Sequence, residues 1–315
     1  MGGMKFGFVM DPPETIRCLE DTSFYIMKES FERGHEVFYV DSRHVTARGC
    51  GLYADARQVE VNVSDGFREL KSFRGLDLSS LDIIFLRKDP PFDRHYLSLT
   101  YLLEFLKGKV PVLNDPAGVR NANEKLYGLR FPDCVPKTVV SAQPPVILEF
   151  LEEVGEAVLK PLWQRGGIGV VKMKSGDSEN EANIRKNLRE YGTLLAQQFI
   201  PEVRTEGDKR ILVLNGEILG AYRRIPPAGD FRVSLEKDGK YEAAVIDRRD
   251  RELTETIRPS LLSDGLYFVG LDVIAGRITE INVTSPAGIP EINHFLGAKL
   301  EAEVVSFLER FAKRQ

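Results

Sequence analysis

The sequence predicts an α/β protein: a doubly wound parallel sheet in the first third, then an α+β arrangement of antiparallel hairpins and helices. Three observations carry this. Strand-like and helix-like segments alternate with short connections as far as Leu113. From Pro136 onward the strands come in pairs joined by glycine-bearing turns. The 315 residues, 43% hydrophobic and 29% charged, have ordinary globular composition and length for two domains.

Taken in order, Lys5 to Met10 is a short apolar strand, Thr22 to Arg33 a helix, and Glu36 to Asp41 a second strand. A buried strand over Leu81 to Arg87 ends in Lys88-Asp89-Pro90-Pro91, a polar cluster at the carboxyl end where open α/β sheets collect ligands. A helix from His95 to Lys107 and a strand from Val110 to Leu113 complete the first domain, placed at 1–122. The second, 123–315, opens with helix Val146 to Val154 and strand Ala157 to Lys160. The loop Trp163-Gln164-Arg165-Gly166-Gly167-Ile168-Gly169 then leads into the β-branched run Val170 to Lys174. Strand, glycines, strand makes a hairpin. The P-loop and the dinucleotide fingerprint both need a helix after the glycines, so both fail. Helix Glu179 to Tyr191 and strand Thr193 to Ile200 follow, and Asn215-Gly216 sets a second hairpin inside Arg210 to Arg224. Residues 227–251 read as a mobile loop with only Tyr241 to Ile246 strand-like. Helix Leu253 to Leu262, strands Tyr267 to Ile274 and Arg277 to Val283, and helix Ala298 to Lys313 close the chain.

Lys plus Arg total 43 against 47 Asp plus Glu, a net charge of −4, so no cationic field recommends nucleic acid or an anionic membrane as partner. Cys18, Cys50 and Cys134 are odd in number and widely spaced, which supports neither a disulfide framework nor a zinc site and suits a reducing cytoplasm. Asp11-Pro12-Pro13 interrupts the start before a signal-peptide core forms, and no run of 18 apolar residues occurs, so the chain is expected neither to be exported nor to span a membrane. Phe6 stands where a myristoylation signal needs Ser or Thr.

The sharpest chemical constellation is Asp272 with Glu280 and Asn282. A hairpin turning at Ala275-Gly276 sets Asp272 opposite Glu280, and period two puts Asn282 on the same face. Three hard oxygen donors would suit a nucleotide-bound Mg²⁺; an exposed polar sheet face is an equal reading of the spacing. Lys125 and Lys160 could each place an ammonium on a phosphate, although isolated lysines usually face solvent. Gly166-Gly167 admits close phosphate approach or is simply a turn. Arg210, Arg224 and Arg232 suit carboxylate and phosphoryl oxygens if they converge. His35, His44, His95 and His294 pair with no nucleophile or metal ligand, and Cys134 reads as a small buried hydrophobe.

Together these segments resemble the prokaryotic glutathione synthetases of the ATP-grasp superfamily over nearly the whole chain. The resemblance rests on Phe8-Val9-Met10-Asp11-Pro12, Leu86-Arg87-Lys88-Asp89-Pro90-Pro91-Phe92-Asp93, Asn123-Glu124-Lys125-Leu126, Leu159-Lys160-Pro161-Leu162, Gly207-Asp208-Lys209-Arg210, Arg224-Ile225-Pro226, Gly270-Leu271-Asp272-Val273-Ile274 and Thr279-Glu280-Ile281-Asn282-Val283-Thr284-Ser285-Pro286. It implies a second domain that is an ATP-grasp module, with a lid subdomain at about 136–200.

It also implies roles. Lys125 and Lys160 bind ATP phosphates, the hairpin at Gly166, Gly167 and Ile168 closes over them, Gln198, Phe199 and Ile200 meet adenine, and Asp208 holds the ribose. Asp272, Glu280 and Asn282 hold Mg²⁺, or Mn²⁺ in its place. Arg210, Arg224 and Arg232 stabilise transferring charge, and Arg87, Asp89, Ser285, Pro286, Ala287 and Gly288 contact substrate. The implied reaction joins γ-glutamylcysteine and glycine through an acyl phosphate, in a cytoplasmic homotetramer. By the same resemblance, Asp272→Asn should damage turnover far more than folding. Departures from the family pattern fall at Trp163-Gln164-Arg165, at Arg232 to Gly239, and at Ala287, Gly288 and Pro290. They leave a ligase with another amine acceptor or peptide acid, or a nucleotide-binding regulator without turnover, as the alternatives.

Overall fold

The computed structural model describes residues 3–64, 66–232 and 240–313. The first sheet is built on β1 (Lys5–Met10), whose alternation sends Phe6, Phe8 and Met10 to one face and Val9 to the other. Helix α1 (Thr22–Glu32), capped by Asp21 accepting from the Ser23 and Phe24 amides, covers the first face and leads to β2 (Glu36–Arg48). Strands β3 (Gly51–Asn62) and β4 (Gly66–Asp77) follow as an antiparallel ribbon, then β5 (Ile83–Arg87), α2 (Arg94–Leu103), β6 (Val112–Leu113) and α3 (Pro116–Asn121).

The strand order is β4-β3-β2-β1-β5-β6, with β2, β1, β5 and β6 parallel. The parallel core is the expected one. The antiparallel extension through β3 and β4 was not foreseen, and β2 runs seven residues beyond Asp41 to form it. β4 is charged and largely exposed, so it carries little apolar alternation to betray it.

The second sheet, in order β7-β10-β8-β9, contains β7 (Thr138–Ser141), β8 (Glu156–Pro161), β9 (Val171–Lys174) and β10 (Leu194–Gln198) and is antiparallel throughout. Helices α4 (Pro144–Val154) and α5 (Asn180–Tyr191) cover one face, packing Ile147, Leu151 and Ile184 on Ala157, Leu159 and Ala196. The predicted glycine hairpin is the β8–β9 connection.

After the short α6 (Val203–Glu206), the third sheet runs β13-β12-β11-β14-β15. It comprises β11 (Asp208–Leu214), β12 (Glu217–Ile225), β13 (Lys240–Ala243), β14 (Phe268–Ile274) and β15 (Arg277–Asn282). Asn215 and Gly216 both have positive φ, 53° and 77°, in the β11–β12 turn, as an Asn-Gly hairpin requires. Helix α7 (Arg248–Ser263) backs this sheet through Leu253, Ile257 and Leu261. It begins five residues before the expected Leu253, because Asp247 and Asp250 form a capping box and Lys209 donates to Asp250 Oδ2 at 2.6 Å. The expected mobile loop is thereby shortened to structure on its far side, and its Val233 to Gly239 portion lies outside the described residues.

Helix α8 (Ile289–Leu296), unforeseen because Pro290 and flanking glycines obscure an eight-residue helix, follows, and α9 (Leu300–Ala312) then returns to pack on α1. The first sheet is thus covered on one face by the last helix of the chain. His35 is structural, stacked on Phe6 at 4.4 Å with Nε2 2.9 Å from Glu309 Oε1, and the other three histidines are exposed.

Asn114 joins the first and third sheets. Buried after β6, it donates from Nδ2 to the Phe268 and Val283 carbonyls at 2.8 and 2.9 Å and accepts from the Phe268 amide at 2.8 Å. Asn114→Ala leaves a donor and two acceptors of β14 and its neighbour unpaired in the core. At about 1–3 kcal/mol for each unsatisfied group, the expected loss is several kcal/mol, read as a lower midpoint in urea unfolding.

Candidate functional site

Where the second and third sheets face each other they enclose a cavity of about 410 Å³. Its floor follows from cross-strand register. Arg210 of β11 lies opposite Asp272 of β14 and Tyr222 of β12; Asp208 lies opposite Arg224; Asp272 lies opposite Glu280 of β15; and Asn282 sits two residues along. Period two places all of these on one face, while Lys209 and Ile211 turn to α7.

The floor charges interlock. Arg210 Nε donates to Asp272 Oδ1 at 2.6 Å, and Arg224 Nη2 donates to Asp208 Oδ2 at 2.6 Å and lies 2.9 Å from Asp272 Oδ1. The four side chains are only 8–15% exposed. Burial alone would raise the Asp272 carboxyl, but the two guanidinium groups hold it well below the usual carboxylate range. Asp208 is pushed the other way, by burial first and by the neighbouring Asp272 against the opposing pull of Arg224, and its Oδ1 has no partner among the described residues.

The roof comes from β8, where alternation sends Ala157 and Leu159 to the helices and Val158 and Lys160 to the cavity. Lys160 Nζ donates to Gln197 Oε1 at 3.2 Å and lies 3.6 Å from Glu280 Oε1, spanning roof and floor. Lys125 is buried on the segment that runs beside β15, where the Ile281 amide donates to the Glu124 carbonyl, and its Nζ donates to the Gln164 carbonyl at 2.8 Å. Gly166 and Gly167, with φ of 63° and 76°, line the cavity, and their N–H groups have no intramolecular acceptor among the described residues. At one end Val158, Phe199, Val203, Phe231 and Ile274 make an apolar patch beside Gln198 and Ile200. At the other, Asp89 at the end of β5 meets Ser285, Pro286 and Ala287.

Of the sequence-predicted residues, only Ile168, Gly288 and Arg87 do not line the cavity. Ile168 is exposed at the hairpin tip, and the Gly288 amide is taken by Thr22 Oγ1 at 3.1 Å. Arg87 is buried behind the wall, donating to Ser23 Oγ and to the Pro286 carbonyl at 2.9 and 3.0 Å, so it shapes the Ser285–Ala287 segment from beneath. Arg232 reaches the cavity beside Gly167 and is paired with Asp230, its Nη2 3.0 Å from Oδ2. Sequence reasoning passed over Gln197, Phe231 and Glu124, whose Oε1 accepts from Thr284 Oγ1 at 2.7 Å. Glu124 adjoins Lys125 in a motif already singled out, which was the available signal; Phe231 had none.

The comparisons with known proteins agree with this geometry. Residues 4–120 match the model of the prokaryotic glutathione synthetase N-terminal domain, and residues 124–297 that of the prokaryotic glutathione synthetase ATP-grasp domain. The chain belongs to the prokaryotic glutathione synthetase family. Similar relatives include the glutathione synthetases of Thermosynechococcus vestitus, 37% identical over 97% of this chain and 99% of the relative, and of Synechocystis, 38% identical over 98% and 99%. Among solved structures the fold is similar to D-cycloserine synthetase DcsG, with a TM-score of 0.68, 14% identity and coverage of 98% and 99%. It is also similar to the VanG D-Ala:D-Ser ligase of Enterococcus faecalis, with a TM-score of 0.65, 15% identity and coverage of 97% and 99%. The ATP-grasp fold is thereby shown.

The family uses ATP with a divalent metal. Two carboxylates and an amide oxygen are hard donors that suit such a cation. Asn282 donates through Nδ2 to the Gly270 carbonyl at 3.3 Å, which leaves its oxygen as the atom available to a ligand. Among the described residues no three His, Cys, Asp or Glu side chains converge as a cage.

The double pairing of Asp272 adds a cost in folding to the expected larger loss of turnover in Asp272→Asn. Removing its charge leaves two buried guanidinium groups short of a counter-ion, which costs about 3–5 kcal/mol. A clear fall in melting temperature is expected alongside any loss of activity, and an unchanged melt would show that the cluster is not held by this pairing.

Proposed function

We propose that this chain forms glutathione from γ-glutamylcysteine and glycine, with ATP converted to ADP and phosphate. The observation that carries the reading is one cavity with an apolar end, a cationic roof with free glycine amides, and a floor of carboxylates and arginines. That is a nucleotide site continuous with an acid-binding site, in a chain that matches glutathione synthetases over almost its whole length.

In this reading the adenine ring lies among Val158, Phe199 and Ile274, with Gln198 and Ile200 offering backbone contacts and Asp208 the ribose. Lys125, Lys160 and the amides of Gly166 and Gly167 hold the phosphates. Asp272, Glu280 and Asn282 would hold Mg²⁺, which supplies charge neutralisation along the phosphates when bound. A carboxylate is a poor electrophile, so the substrate carboxylate oxygen first attacks the γ-phosphorus and ADP departs. The amine nitrogen of glycine then attacks the acyl carbon, the acyl C–O bond breaks, and phosphate leaves with its electron pair. Arg210 and Arg224 face the developing negative charge on both species, already oriented by their aspartates.

Water must be kept from the acyl phosphate. Two segments meet over the cavity to do so: a Cβ on Gly167 would lie 3.6 Å from Arg232 Cδ, and Phe231 packs edge-on against Phe199 at 5.8 Å. We assign the lid to residues 136–200 together with the segment carrying Arg232. No helix among the described residues is long and apolar enough to cross a membrane, and the three cysteines are free.

Incubation of the purified protein with Mg-ATP and γ-glutamylcysteine should release ADP and yield glutathione by mass only when glycine is added. Product with another amine but not with glycine would reassign the acceptor at Ala287 and Pro290. ATP binding without ADP release for any acid would favour the regulatory alternative. Chelation by EDTA should abolish ADP release, and Glu280→Gln should lower kcat/KM by about 100-fold or more, in line with the loss of a charged group facing the transition state.

A further inference from the structure

One cation in the cavity has no role in the reading above. Arg165 stands immediately before Gly166 and Gly167 on the β8–β9 hairpin and lines the cavity with them. Among the described residues its one ion pair is with Asp89, at 3.7 Å, with 56% of the Arg165 side chain exposed. Arg210 and Arg224 are held at 2.6 Å to their aspartates, Lys125 at 2.8 Å to the Gln164 carbonyl and Arg232 at 3.0 Å to Asp230, while Lys160, 3.6 Å from Glu280, also donates to Gln197 Oε1 at 3.2 Å and is only 13% exposed. An ion pair that is long and half in water contributes little, so Arg165 can change partners readily.

We propose that Arg165 is an additional phosphate-binding residue of the nucleotide site, its loose pairing with Asp89 exchangeable for the terminal phosphates of ATP. The inference rests on the ATP-dependent reading of this cavity. Arg165 adjoins the two glycine amides that have no intramolecular acceptor among the described residues, and the carbonyl that Lys125 holds belongs to Gln164, its chain neighbour. A guanidinium there meets phosphate oxygens through two parallel hydrogen bonds, which a glycine amide cannot do. Positive φ at Gly166, Gly167 and Gly169 gives the hairpin the backbone latitude for the shift.

The chain carries its own reporter. Trp163 is the single tryptophan, 51% exposed, with its ring 6.2 Å from Phe92. Trp163 and Arg165 therefore grip the same segment, at Phe92 and Asp89, so movement of Arg165 toward phosphate changes the surroundings of the indole.

The test is titration of ATP and of AMP into the wild-type protein, Arg165→Gln and Arg165→Lys, read by tryptophan emission and, independently, by calorimetry. Arg165→Gln should weaken ATP about tenfold or more, the effect expected for a lost charge-assisted hydrogen bond, and leave AMP within about twofold; Arg165→Lys should fall between. Arg165→Gln that binds ATP as tightly as wild type overturns the proposal. So does equal weakening of ATP and AMP, which would mean that Arg165 only tethers the hairpin to Asp89. Failure of the wild-type protein to bind ATP at all would instead overturn the nucleotide-site reading beneath it.

Discussion

Two aspartates and two arginines, buried side by side across β11, β12 and β14, govern the arrangement of this protein. Their charges cancel within the cluster, and each is within hydrogen-bond reach of an opposite charge. Taking ions from water costs several kcal/mol apiece, and only good pairing geometry offsets it. That geometry exists only in one register: a slip by a single residue along β11 would turn Asp208 and Arg210 toward the apolar face against α7 and bring Lys209 and Ile211 to the cavity. The cluster thus enforces the floor of the site, and in the reaction proposed for this cavity the floor is where charge is stabilised.

The strand-borne side chains of the site are placed by the same two-residue period. On β8 it separates Val158 and Lys160, which face the cavity, from Ala157 and Leu159, which bind the second sheet to its helices. On β15 it sends Glu280 and Asn282 inward while Ile281 joins the core. A half-buried strand therefore supplies stability and chemistry from alternate residues, and neither function competes with the other for positions. Asn114 completes the framework by fixing β14 to the first sheet, so the end of β5, with Asp89, is held at the mouth of the cavity.

Much of this was legible. β1, an apolar run, and α4, β8, β9, α5 and β10, whose turns and ends are set by Gly or Pro, follow periodicity and turn residues closely. The ribbon of β3 and β4 was not, since residues such as Arg68, Glu69 and Lys71 face solvent and present no apolar period. The start of α7 was missed because its signal is polar, an aspartate capping box completed by a lysine 38 residues upstream of Asp247. Ile168 and Gly288 belong to motifs by sequence but not to the cavity wall, since being next to a functional residue along a chain does not direct a side chain inward.

The sequence by itself determined the fold class and the hairpins, because strand period and turn chemistry are local properties, and its family resemblance pointed to most of the charged side chains that line the site. Only the tertiary structure decided how those charges are partnered. That Asp272 is bound by two arginines, that Glu280 meets Lys160 across the cavity, and that Arg165 rests loosely on Asp89 all depend on distances between segments 48 to 120 residues apart. Pairing energy varies with separation and with exclusion of water, and neither is fixed until the sheets have packed.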